Sequence, residues 1–403
     1  MKWLRFAVLN TLRNRRRSAV TVSIAALGTA GILLAGGFAL YTYESLAQAA
    51  ARATGHLVLG TPAQFSQDED VPLQHGIDNH AALRKALLAD PEVRQVLPRV
   101  AFSGLISNGE KSAVMLGTGV DPDREFVVKG PFLTMLAGQV LASEAQEAEV
   151  MLGDGLARSL KAQPGSSLTL LATTAEGALN ALDLRVKGVF SSGVPDIDKR
   201  AVYTDLATAQ RLLASQRVST LGVYLARMEH TEPARQRVAA ANPALRVQTW
   251  QDQAFYYAAV RGLYNRIFGA LGLIIAVIVV FVVTNAMAMA VIERTREIGT
   301  LRALGTLPRQ LMGSLALEGL VLGGVGALLG GLLALGVSLL LYVVPVQMPP
   351  PPGSSQGYAL NVSIDAGLYA ATLLGMTLLA ACASLLVARR TVHTPVVQAL
   401  AHT

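Results

Sequence analysis

Cysteine is nearly absent from this 403-residue chain, which carries only Cys382. One thiol excludes an intrachain disulfide, and its place inside an apolar run excludes a cysteine nucleophile elsewhere in the chain. Charge is also scarce, at 15% of residues, while 52% are apolar. That balance is too greasy for an ordinary soluble protein of this size. Catalytic signatures are missing as well. There is no Gly-x-Ser-x-Gly elbow, which removes the serine-hydrolase case. The helical His-Glu-x-x-His spacing of a zinc site does not occur, and His75, Asp78 and His80 in HGIDNH read as surface residues, Asp78 capping a helix. The nearest approach to a phosphate loop, Gly104 to Ser112, has an extra Glu110 before Lys111 and lies in a hairpin pattern. No catalytic residue, metal or bound cofactor is assigned to this chain.

Long apolar runs are what the sequence does have. Four windows, about 18–43, 263–292, 311–344 and 366–388, meet the rule that roughly 20 apolar residues cross a bilayer. The first holds no charge from Ser18 to Tyr43, and the third a single acid, Glu318. A secretory leader ending near Ala47-Gln48-Ala49 is disfavoured, because the apolar stretch runs about 26 residues against about 7–15 in a leader.

The net charge of +7 would suit nucleic acid, but its distribution does not. Lys2, Arg5, Arg13, Arg15, Arg16 and Arg17 precede the first window, Arg389 and Arg390 follow the last, and arginines also crowd the loop after the second. Basic residues beside membrane ends mark the cytoplasmic side. Nucleic-acid binding needs a basic patch on a folded domain, and charges between 44 and 262 are near balance. The expected fold is a membrane protein with four transmembrane α-helices and a large α+β extracytoplasmic domain inserted between helices 1 and 2. Residues 1–17 are expected as a cytoplasmic amphipathic helix and 18–43 as the first span. The outer domain with helical stalks takes 44–262, and the second span 263–292. A cytoplasmic coupling segment (293–310), a third span (311–344), a short outer loop (345–365), a fourth span (366–388) and a cytoplasmic tail (389–403) follow. Both termini then face the cytoplasm.

Within the outer domain, Asp78–Asp90 is expected as a helix, and residues 99–107 and 111–120 flank the hairpin signal Asn108-Gly109. Leu182, Leu184 and Val186 alternate with charges in a half-buried strand, Thr204 can cap a helix, and Val218–Leu225 and Thr231–Ala241 read as strand and helix. The stretch Trp250 to Gly269 shows no breaker before the second span, as a continuous stalk requires.

The loop 293–310 is the most informative. Glu293, Arg294, Arg296, Glu297, Arg302 and Arg309 alternate in sign, while Ile298, Leu301 and Leu304 recur at helical spacing. Gly305 stands where a helix stops and Pro308 where another opens. Glu318 lies roughly 10 Å inside the third span and reads as an interface or arginine-pairing acid. Gly319 with Gly323, and Gly326 with Gly330, give the four-residue spacing of close helix packing, within the chain or against a second copy.

The segment ERTREIGTLRALG (293–305), continued by LEGLVLG, resembles the cytoplasmic coupling segment of ABC-transporter permeases of the mechanotransmission type. That family includes macrolide exporters, the cell-division permease and the lipoprotein-release permeases. TGHLVLG (54–60), EVMLGDGLARSLKAQPGSSLTL (149–170), KGVFSSGVPDIDKRAVYTDLATAQRLL (187–213) and the closing ASLLVARRTVHTPVVQALAH extend the resemblance over most of the chain. Ser166 departs from it, standing where an acid is usual. The resemblance implies a separate cytoplasmic ATPase in two copies, with ATP and magnesium on that subunit, docking at Glu293, Arg294, Thr295, Arg296, Glu297, Ile298, Gly299, Leu301, Arg302, Ala303, Leu304 and Gly305. It implies a second permease copy or paralogue and, through TGHLVLG, lipoprotein or another amphiphile as cargo. A periplasmic adaptor or lipoprotein carrier is a further implied partner. Macrolide or peptide efflux, and regulation of a periplasmic hydrolase, are the other roles the family carries.

Overall fold

The computed structural model describes residues 15–66, 71–130, 133–143, 147–293, 295–348 and 357–392. Most of the expected N-terminal amphipathic helix, the tail beyond 392, Arg294 and the Pro349–Pro352 run lie outside the described residues. The chain divides into two compact units: the described parts of Met1–Glu44, Val260–Gln347 and Ala359–Thr403, and those of Ser45–Ala259 and Met348–Tyr358.

Long helices dominate the first unit: α1 (Arg15–Thr54) up to Glu44, α2 (Phe255–Glu293) from Val260, the short α3 (Thr295–Ala303), α4 (Pro308–Val343) and α5 (Ala366–Val392), the end of α1 from Ser45 belonging to the second unit. All but α3 contain a stretch long and apolar enough to cross a membrane. Local chemistry sets their ends. Gly55 takes φ +115° after α1 and Gly305 takes φ +92° after α3, a conformation that side chains other than glycine adopt at a cost. Pro308 occupies the first turn of α4, where its missing N–H is not needed. Asp365 caps α5, its Oδ1 accepting from Leu368 N at 2.7 Å.

Val279, Val283, Met287 and Val291 recur every four residues along α2 and share one apolar cluster with Leu315 and Leu322 of α4 and Met376, Ala380 and Val387 of α5. The opposite stripe of α2 leaves Leu273, Val277 and Phe281 exposed, which costs nothing where the surrounding medium is lipid. Aromatic side chains gather at one end of α1 and α2. Phe38 meets Phe268 edge-on at 6.2 Å, and Tyr43 donates to Asn265 at 2.7 Å.

The second unit is α+β. Its strands are β1 (Leu57–Gly60), β2 (Val93–Ser107), β3 (Ser112–Val120), β4 (Thr134–Gly138), β5 (Glu149–Gly153), β6 (Ser167–Thr173), β7 (Leu179–Ser191), β8 (Ala201–Asp205), β9 (Thr220–Leu225) and β10 (Arg246–Thr249). The pairings β2–β3, β3–β8, β8–β5, β5–β7, β7–β6 and β6–β2 close a six-stranded barrel. Closure leaves those ladders no open edge. A second antiparallel sheet runs β10–β1–β9–β2. The fifteen-residue β2 serves both: Val93 to Arg99 pair with β9, and Val100 to Ser107 with β3. Pro98, which cannot donate to a ladder, stands beside the handover. Buried positions alternate along β6 (Leu168, Leu170, Ala172), as a barrel wall requires. Each large side chain in this core contributes roughly 1.5–3 kcal/mol.

Several local expectations need correction. Asp78 does not cap a helix: that helix is His80–Leu87 with Asn79 at its N-cap, and Asp78 instead accepts from Arg217 at 2.6 Å. Thr204 is a buried strand residue, and its neighbour Asp205 caps the helix Leu206–Leu212 by accepting from Thr208 N. Trp250 to Gly269 is not one helix. Thr249 and Asp252 form a reciprocal capping box around Trp250–Gln253, Ala254 leaves helical geometry, and α2 starts afresh at Phe255. Asn108-Gly109 does lie in a hairpin, but the loop is four residues long, Ser107 pairing with Ser112.

Candidate coupling site

Three polar or charged helix features can be located residue by residue. The first is the loop between α2 and α4. Glu293 ends α2 and is exposed, and Arg17 Nη1 donates to its Oε2 at 2.7 Å, tying the beginning of α1 to the end of α2. Thr295 opens α3, its hydroxyl donating to the carbonyls of Val291 and Ile292. Arg296 and Leu301 belong to α3, and Arg294 lies outside the described residues. Glu297 is exposed, Arg302 half-buried, and Ala303 and Gly305 exposed. Ile298 is buried at 8% exposure in the cluster that includes Val291, Leu311 and Val387, with Gly299 buried beside it. The apolar edge expected of Ile298 and Leu304 is split. Leu304 is 79% exposed and, with Leu307 at 61%, crowns the turn before α4.

Glu318 is the second feature. It is buried at 3% exposure in α4, with the small residues Ser314 and Gly319 on the same buried side. Four glycines of α4, Gly319, Gly323, Gly326 and Gly330, contact two different helices. A Cβ on Gly319 or Gly323 would strike Ser384 or Ala380 of α5. One on Gly326 would come within 2.6 Å of Ala25, and one on Gly330 within 2.7 Å of Thr29, both on α1. Their close approaches are made within the chain.

A third feature, in the second unit, has no counterpart in the sequence reading. Arg99 of β2 is 9% exposed and Glu125, in the helix Pro122–Lys129, is 0% exposed. Arg99 Nη2 donates to Glu125 Oε1 at 2.7 Å and Nε to Glu125 Oε2 at 3.2 Å, the fork-on-fork arrangement favoured by guanidinium. Arg99 Nη1 donates to Thr54 O at 2.7 Å, and Tyr224 OH to Arg52 O at 3.1 Å. Burial opposes the charge of Arg99, but Glu125 and then Tyr224 outweigh it and hold the guanidinium protonated beyond its ordinary range. Burial pushes the Tyr224 phenol up to about 12, Arg99 working against that rise. Nearby, burial and then Arg52 lower His56 to about 4, so its ring is neutral and Nδ1 accepts from Leu225 N at 3.2 Å. The only sequence signals were the i,i+4 spacing of Glu125 and Lys129 and an arginine beside the apolar run that follows Pro98. Neither identifies a partner. Among the described residues, no group of three or more His, Cys, Asp or Glu could hold a metal ion.

Residues 18–241 match the family model of the MacB-like periplasmic core domain, and residues 269–396 that of the FtsX-like permease C-terminal region. The lipoprotein-releasing system transmembrane protein LolC of Xylella fastidiosa is 24% identical over 250 residues, covering 60% of either chain. LolE of Haemophilus influenzae is 26% identical over 267 residues, 64% of this chain and 63% of its own. The macrolide export ATP-binding/permease protein MacB of Agrobacterium fabrum is 29% identical over 276 residues, 64% of this chain and 40% of its own. The match thus spans about 60% of the length of the LolC and LolE relatives. The periplasmic region of MacB from Actinobacillus actinomycetemcomitans superposes on 50% of this chain and 92% of its own, with 14% identity and a TM-score of 0.36. One family model covers more than half of the chain and a second covers most of the remainder. This chain therefore belongs to the ABC-transporter permease family of the MacB and LolC/LolE type.

Proposed function

We propose that this chain is the membrane subunit of an ABC transporter that carries ATP-driven motion from the cytoplasm to a periplasmic domain. In this reading the α+β unit is inserted between the first and second spans, and residues 1–17, 293–310 and 389–403 face the cytoplasm. Work is done at the outer face of the inner membrane. The observation that carries it is α3: a short charged helix between two apolar helices, with Ile298 anchored in the helix bundle and Leu304 left outside. A helix held on one side and polar on the other suits a rigid knob received by another protein. A separate ATPase, in two copies and bearing ATP and magnesium, would receive it.

Cargo follows from the relatives. The names LolC and LolE support a lipoprotein or other amphiphile, extracted sideways rather than conducted through a channel. The apolar interior between the helices supports the same view, since a hydrophilic conduit needs polar lining. The MacB-like domain favours a second reading, macrolide or peptide efflux with a periplasmic adaptor.

The double variant Glu297→Ala/Leu304→Ser tests the docking role. Co-purification with the ATPase should fall by about tenfold, as for loss of an interface anchor, with insertion unchanged. Unchanged association with unchanged coupled activity would overturn the reading, and so would a purified complex that never contains a nucleotide hydrolase. Reconstitution with a triacylated lipoprotein or with a macrolide separates the two cargoes.

A further inference from the structure

Nothing in the docking or cargo readings uses Arg99, yet it is among the most completely bonded side chains in the second unit. Its guanidinium reaches Thr54 O, the last residue of α1, as well as Glu125 and the Tyr224 hydroxyl. Tyr224 in turn donates to Arg52 O, one turn end being thus taken by two buried donors. A helix C-terminus leaves its final carbonyls unpaired and carries partial negative charge. Here those carbonyls are met by a cation on β2 and a hydroxyl on β9. Lys129 adds a second cation 3.5 Å from Glu125 and donates to the Tyr203 hydroxyl on β8, a strand of the barrel. Backbone also closes on the helix end, because a Cβ on Gly222 would lie 2.5 Å from Thr54 O.

Attachment alone does not require this. The same end of α1 already has an apolar contact, in which Ala47 and Ala51 share a cluster with Trp250. A buried ion pair adds little stability over a well-packed apolar replacement, but it has direction. Greasy contacts permit sliding, whereas a bidentate pair plus two carbonyl bonds fixes both the axial position and the rotation of the helix.

We propose that Arg99, Glu125 and Tyr224 form the joint through which α1 passes its displacement into the β-barrel, Arg99 acting as the positioning residue. The proposal rests on the reading of α1 as a carrier of motion. Any shift of the helix end then either moves β2 and β9 with it or strips a buried charge pair, and the second is the costlier course.

Hydrogen exchange on the full chain tests it, in nanodiscs with the ATPase that co-purifies, with no nucleotide and trapped with ATP and vanadate. Wild type should show slow exchange over 46–56 and a nucleotide-dependent change over the barrel segment 100–120. Glu125→Gln should exchange 46–56 about tenfold faster and lose the nucleotide-dependent change over 100–120. Tyr224→Phe keeps the ring and the packing, and should show the same loss with a smaller effect on 46–56. If both variants keep the wild-type nucleotide response, the joint is overturned while the transmission reading stands. If both lose barrel protection even without nucleotide, the cluster is only part of the core and the proposal falls. A wild-type complex with no nucleotide response in 100–120 defeats the transmission reading and the joint together.

Discussion

The two units bury opposite things. In the α+β unit, large side chains such as Ile106, Met115, Leu152 and Phe190 point inward, and even an arginine is held inside by its carboxylate. In the helical unit the tightest contacts are between glycine, alanine and serine, while leucine, valine and phenylalanine cover the outside. The surrounding solvent accounts for the difference. Water drives apolar surface inward and makes a buried charge depend on its partner. Lipid is as apolar as leucine, so helices come closest where small residues let backbones approach.

The comparison can be broken most directly at Glu125. Glu125→Ala leaves Arg99 buried without its carboxylate and should cost about 3–5 kcal/mol, read as a large drop in the thermal unfolding temperature of the full chain. An unchanged melt would show that the α+β core does not depend on the pair. In the helical unit the sharpest change is the reverse, adding bulk. Gly323→Leu pushes into Ala380 and should cost about 1–3 kcal/mol, measured by unfolding in detergent. Gly336→Ala, where a Cβ meets nothing within 4 Å, should be neutral or gain up to about 1 kcal/mol.

A pH titration sharpens the contrast further, because the described histidines (His56, His75, His80 and His230) all belong to the α+β unit. His56 is lowered from 6.5 to about 4, chiefly by burial and then by Arg52. The unfolded chain binds that proton more readily, so the contribution is full above pH 6.5, falls with pH and is gone near pH 4. Discounted for the partly exposed ring, it amounts to ~1–2 kcal/mol. His56→Asn, which keeps an acceptor for Leu225 N, should flatten the curve between those limits. The smallest effect is expected at the Arg17–Glu293 pair. Both side chains are partly exposed, and Glu293→Ala should change stability by less than about 1 kcal/mol, so any large loss of ATPase association in that variant reflects docking.

The sequence showed the helices better than the site. Apolar length and the placement of arginines are local signals, and the limits of α3 at Gly305 and of α4 at Pro308 were visible as single residues. The misplaced caps were near misses: strand pairing holds Thr204 in β8 and leaves the cap to Asp205, and Asn79 takes the N-cap position next to Asp78 without a side-chain bond. The barrel could not be read, because β6 closes on β2 across some sixty residues with no local mark. Arg99 and Glu125 are 26 positions apart, and Arg17 and Glu293 276 apart. A charge in a strand signals a partner without naming it.

Because β2 belongs to both sheets, the two cannot change length separately. Side chains alternate faces along a strand, so deleting one residue near Pro98 would turn every side chain on one side of the cut to the wrong surface. Insertions in this family member should therefore collect in its turns, and the stretch from 93 to 107 should keep its spacing even where its composition drifts.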